Sequence, residues 1–161
     1  MKLLRSIAYF ASIGVLSQLI GQILPRHWFH ETSFFYRLRR WEQDGRVYLK
    51  LHIQKWKDHV PDMSRHVRSM TPKRMGGGMT SNQVQRLIQE TCVAELIHNL
   101  LCIFGAGVLN IWEDAAGLLL WMLYILGNLP FILIQRYNRP RLIHLRETLK
   151  KREERNNPCV S

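Results

Sequence analysis

Glu95 and His98 stand three residues apart in the run T-C-V-A-E-L-I-H-N-L-L from Thr91 to Leu101, whose other residues are mostly apolar. At that spacing both side chains share one helix face. A charge midway through a membrane helix costs ~2.5–3.5 kcal/mol, so such groups turn toward a partner or a cavity and mark functional positions. A buried imidazole beside a carboxylate and an amide suits general-base work on an alcohol. An Asn amide or an Arg guanidinium suits stabilisation of the oxyanion of acyl transfer. The competing reading is a hydrogen-bonded Glu–His–Asn set that only joins helices. A single Glu-x-x-His does not establish a metal site, because the di-iron pattern of four-helix bundles needs two such motifs and two more Glu.

The amide and the guanidiniums come from N-L-P-F-I-L-I-Q-R-Y-N-R-P-R-L, Asn128 to Leu142. Here an apolar run stops abruptly in Gln135, Arg136, Tyr137, Asn138, Arg139, Pro140 and Arg141. Tyr137 sits where an interfacial aromatic belongs. Asn138 and the residue before Pro140 mark a helix end. Arginine grips phosphate or carboxylate through two parallel hydrogen bonds. Gln135, Arg136, Tyr137, Asn138, Arg139 and Arg141 are therefore candidate substrate-binding residues, with Glu95, His98 and Asn128 the candidate catalytic ones. The plainer alternative is a stop-transfer anchor.

The elements that must position these residues are membrane helices. No Lys or Arg occurs between Arg86 and Arg136, a gap long enough for two spans at ~20 residues each. The spacing predicts spans at Cys92–Trp112 and Ala115–Gln135, joined by a tight hairpin at Glu113-Asp114. Folding there puts residues whose numbers sum to about 227 at equal depth, so His98 lies level with Asn128 and Leu129. Thr80 and Gln83 read as a capping box that starts the first of these helices. Met1–Leu24 carries Lys2 and Arg5 before a long apolar stretch with no small-x-small cleavage site, and reads as a retained signal anchor. The fold class is all-α and integral to the membrane: about three transmembrane helices, amphipathic interfacial helices and a basic cytoplasmic C-terminal helix. The chain forms one membrane domain, with the anchor at 1–25, an aromatic and basic segment at 26–62, a flexible loop at 63–79, the hairpin at 80–135 and a basic tail at 136–161.

The 161 residues carry a formal net charge of +11. In a soluble chain that balance suggests nucleic acid, but no nucleic-acid motif is present and the charge is read against a membrane surface and anionic substrates. Lys and Arg number 2 before the first span, 13 from Arg26 to Arg86, none in the hairpin and 8 in the tail. The positive-inside rule then places the middle segment and the tail in the cytoplasm. From Tyr48, the apolar residues Leu49, Ile53, Trp56 and Val60 recur at helical spacing, as expected of a helix lying in the headgroup layer. The run Gly76–Gly78 lacks the Gly-Lys-Ser/Thr ending of a phosphate loop. Cys92, Cys102 and Cys159 show neither a disulfide framework nor metal spacing.

Four stretches carry a family resemblance: W-E-Q-D-G-R-V-Y at Trp41–Tyr48, Q-K-W-K-D-H-V-P-D at Gln54–Asp62, A-E-L-I-H at Ala94–His98 and Q-R-Y-N-R-P-R-L at Gln135–Leu142. They resemble the glycosyl-4,4'-diaponeurosporenoate acyltransferases of the CrtO type, over roughly Pro25 to Arg155. The resemblance implies a bacterial plasma-membrane enzyme of staphyloxanthin-type carotenoid biosynthesis that esterifies a fatty acid onto the glucose 6-hydroxyl of a glycosylated carotenoid or related glycolipid. It implies no cofactor beyond an acyl donor, acyl-CoA or an acyl carrier protein, and it adds Lys57 and Asp62 to the substrate-binding candidates. In this reading His98 deprotonates the sugar hydroxyl, Glu95 orients His98, and Asn128 with Arg139 stabilises the oxyanion. Membrane lipid is a partner, nucleic acid is not, and the chain is compatible with a homo-oligomer. The alternatives are a small membrane methyltransferase or reductase using a cytoplasmic cofactor, and a non-catalytic membrane scaffold.

Overall fold

A computed structural model of the chain describes residues 1–57 and 79–156. Its elements are α1 (Lys2–Ile23), α2 (Val47–Lys50), α3 (Ile53–Trp56), α4 (Ser81–Phe104) and α5 (Ala115–Asn156), with 3-10 turns at Arg26–Trp28, Arg40–Gly45 and Gly105–Asn110. No strand occurs among the described residues. Three of the helical stretches, Lys2–Ile23, Ser81–Asn110 and Ala115–Asn156, are long and apolar enough to cross a membrane. Their outer faces carry exposed Leu16, Leu19, Leu118, Leu119, Met122 and Leu123, as expected of surfaces that meet lipid tails.

The antiparallel pair α4–α5 is the framework. α4 opens with the expected capping box: the Gln83 backbone N–H donates to Thr80 Oγ1 at 3.3 Å, and the Thr80 N–H to Gln83 Oε1 at 3.0 Å. The hairpin closes on Asp114, whose carboxylate accepts from the Ala116 and Gly117 amides. A Cβ at Gly117 would run into the Trp112 carbonyl and side chain. Because backbone cannot yield there, Gly117→Ala is expected to destabilise the protein by about 1–3 kcal/mol, read as a lowered thermal midpoint in detergent.

The helix end expected at Asn138–Pro140 is not there. α5 runs through Pro130 and Pro140 to Asn156, ~63 Å at 1.5 Å per residue. Each internal proline removes a backbone donor and costs about 3 kcal/mol in isolation. Packing on both sides of Pro140 overrides that: Ile134 and Tyr137 pack with Tyr48 and Ile53, and Leu142 with Val84, Leu87 and Ile88.

The helix expected from Tyr48 is also broken. His52 adopts a left-handed φ of 51° between α2 and α3. Tyr48 and Ile53 both pack against α5. Five residues apart on one continuous helix they would point ~140° away from each other, and the break lets both face inward. Val60 lies outside the described residues, as does nearly all of the 63–79 loop. Trp28, Phe34, Phe35 and Trp41 on the same segment are exposed, and the guanidiniums of Arg37 and Arg39 lie over the Phe34 ring.

α1 docks along the pair. Tyr9 donates to the Phe104 carbonyl at 2.6 Å, Phe10 stacks on Tyr124 at 4.2 Å, and Trp112 Nε1 donates to Ser6 Oγ at 2.8 Å.

Candidate active site

Thr91, Glu95, His98 and Cys102 fall on the α4 face that meets α5, as the i, i+4, i+7 recurrence requires. Facing them are Trp121, Tyr124, Asn128, Phe131, Arg136 and Arg139. Nearest the hairpin, Trp121 Nε1 donates to the Cys102 carbonyl at 2.9 Å. One layer further, His98 Nδ1 and Asn128 Oδ1 lie 2.9 Å apart. The Asn128 Nδ2 donates to the Tyr124 carbonyl at 2.9 Å. That bond fixes the amide's orientation, so Asn128 Oδ1 accepts and His98 Nδ1 carries the proton. In the neutral ring Nε2 then holds the lone pair. Phe131 stacks on the imidazole with centroids 4.5 Å apart and planes at 9°, which fixes the ring plane.

The next layer is a network of four charges, three of them buried and the fourth, Arg136, half-buried. Glu95 Oε1 accepts from Arg136 Nη1 at 2.6 Å and Oε2 from Arg139 Nη2 at 2.6 Å. Arg136 also grips Glu42 with both Nε and Nη2 at 2.8 Å. Arg139 donates further to Thr91 Oγ1, the Thr91 carbonyl and the Tyr36 carbonyl. Two carboxylates thus balance two guanidiniums. Glu42 is 0% exposed and Arg139 1%, so the charges are stabilised by one another and by hydrogen bonds rather than by water. The network ties three parts together: the 3-10 turn Arg40–Gly45, α4 and α5. Gly45, with φ at 84°, lets that turn close against the Pro140 ring.

Burial pushes the Glu42 pKa up, but the bonds from Arg136 and from the Tyr48 hydroxyl, which donates to Glu42 Oε1, outweigh it and leave it below its usual 4.5. Burial, then the bond to Glu42, raises the Tyr48 pKa. A depressed carboxylate pKa stabilises the fold above the unfolded value, and that stability is lost as pH falls through the folded pKa. Acid titration of the purified protein is therefore expected to lower its thermal midpoint below pH 4.5, and Glu42→Gln to flatten that dependence.

Of the remaining candidates, Gln135 and Tyr137 are buried and Asn138 is half-buried. Arg141 lies 3.6 Å and Lys57 Nζ 5.6 Å from the centroid of the Tyr137 ring. Asp62 lies outside the described residues. Residue type and spacing alone do not single out Glu42, Tyr48 or Thr91. The signal for Glu42 and Tyr48 lies in the W-E-Q-D-G-R-V-Y stretch, which holds both. Among the described residues no three His, Cys, Asp or Glu side chains gather as a metal site.

The family model for glycosyl-4,4'-diaponeurosporenoate acyltransferase matches residues 25–148. The chain belongs to this acyltransferase family. The matched region holds Glu42, Glu95, His98, Asn128, Arg136 and Arg139 and begins just after α1. A protein of Staphylococcus aureus strain bovine RF122 / ET3-1 that bears the family's name is 29% identical over 137 residues, 84% of this chain and 82% of the relative. Those of strains MRSA252 and N315 are 28% identical over the same shares. No solved structure matches the chain. Family membership makes the chain an acyltransferase.

Proposed function

We propose that the enzyme transfers a fatty acyl group onto a hydroxyl, the glucose 6-hydroxyl, of a glycosylated carotenoid or a related glycolipid in the bacterial plasma membrane. The observation that carries the reading is the His98 Nδ1–Asn128 Oδ1 contact of 2.9 Å, set between two apolar helices of a chain in this family. Leu126 and Leu129, flanking Asn128, are 57% and 41% exposed. Both reactants have lipid tails, so an approach from the bilayer suits the site better than a water-filled pocket.

In this mechanism His98 Nε2 takes the hydroxyl proton as the oxygen attacks the acyl carbonyl carbon. The C–S bond of the thioester donor breaks and the imidazolium returns its proton to the leaving thiolate. Asn128 holds the Nδ1 proton, and its side-chain amide is the donor for the developing oxyanion. Arg139, turned inward, fixes the Glu95 carboxylate one turn from His98. The donor is acyl-CoA or an acyl carrier protein, and no cofactor is needed. The cation count places the segment after α1 and the end of α5 on the cytoplasmic side, where such a donor is found.

The test is a reconstitution. Purified protein in nanodiscs, given a glycosylated carotenoid and a fatty acyl thioester, is expected to form an ester at the sugar 6-hydroxyl, located by NMR. An intact thioester and unchanged acceptor would overturn the proposal.

A further inference from the structure

We propose that the cleft between the end of α1 and the first turns of α4 binds a phosphate-bearing headgroup. The cleft is open to its surroundings and has a volume of about 460 Å³, the size of a small-ligand site. It lies on the flank of α4 away from His98. Its wall is polar apart from Leu24, with the amides of Gln22, Asn82 and Gln89, the guanidiniums of Arg26 and Arg86, and the His27 imidazole.

Arg26 sets the geometry. Its Nε donates to Glu90 at 2.9 Å, and its Nη1 to the Gly21 and Leu24 carbonyls at 2.7 and 2.6 Å. One guanidinium thereby closes the end of α1 and ties it to α4, while its Nη2 donates to no described residue. Arg86 is exposed and has no ion-pair partner among the described residues. Two planar forks with unmet donors, beside amides and an imidazole, match the oxygens of a phosphate. The site near His98 offers no such pair, because Arg136 and Arg139 are committed to Glu42 and Glu95. Two sources carry this chemistry: a phospholipid of the leaflet at the exit of α1, and the phosphorylated head of a thioester donor. Only the second rests on the acyl-transfer reading.

The experiment compares native protein with Arg86→Gln, and with His27→Gln as a second variant, by thermal shift in detergent. The probes are coenzyme A, inorganic pyrophosphate, short-chain phosphatidylglycerol and, as a control, short-chain diacylglycerol. Phosphate-bearing probes are expected to raise the native midpoint, with half-saturation at least tenfold higher in Arg86→Gln and no response to diacylglycerol. A response to coenzyme A without phosphatidylglycerol assigns the donor, and the reverse assigns the lipid. Equal responses in native and both variants, or none to any phosphate, overturn the proposal. Ester formation by the native protein is measured in parallel, so failure of the cleft and failure of acyl transfer are read separately.

Discussion

Glu95→Gln is expected to destabilise the protein by about 3–5 kcal/mol, the cost of removing one partner from a buried ion pair. The substitution keeps the shape of the side chain and removes only its charge. Arg136 would keep Glu42, whereas Arg139, which pairs with Glu95 and makes no ion pair with Glu42, would lose its carboxylate. An almost fully buried guanidinium would be left uncompensated. The measurement is the denaturation midpoint of purified protein in detergent. A double variant, Glu95→Leu with Arg139→Leu, is expected to lose less than the sum of the single losses, because both charges leave together. A Glu95→Gln protein as stable as the native one would show that the network carries no stability.

His98→Ala is expected to behave in the opposite way, with turnover falling about 10²–10⁴-fold, the range of a general base, and little loss of stability. His98 is half-buried, and Glu95 holds both of its guanidinium partners without it, so its removal leaves those charges paired. Asn128→Leu removes the acceptor that fixes the Nδ1 proton and should lower turnover in the same direction by a smaller factor. A helix-joining role for the pair predicts the reverse: lower stability with turnover intact. Glu95→Gln and His98→Ala together test whether turnover rests on the His98–Asn128 layer and stability on the Glu95 layer.

The depth of the site is legible in the amino-acid sequence. A stretch free of Lys and Arg, with one hairpin, admits one antiparallel pairing, and the meeting of His98 with Asn128 follows from it. The pairing of Glu95 is less legible. A sum of about 227 points Glu95 at residue 132, whereas its partners are Arg136 and Arg139. Side chains on a helix lean toward its N-terminus. On α4 that lean carries Glu95 toward the charged end, and on α5 it carries the arginines toward the hairpin, so the partners are offset by about a turn. Glu42 is hidden for another reason. It reaches the site through a 3-10 turn whose Gln43, Asp44 and Gly45 have positive φ, a conformation that periodicity does not report. The passage of α5 through Pro140 is hidden because local propensity opposes it and only packing against α4 and the Tyr48–Ile53 segment supports it.

The most direct measurement is a mass-spectrometric comparison of lipids from a host that makes a glycosylated carotenoid, expressing either the native chain or His98→Ala. The account predicts a carotenoid species heavier by one fatty acyl group with the native chain, absent with the variant although both proteins reach the membrane in equal amounts. The same acylated species at equal yield from both would contradict it.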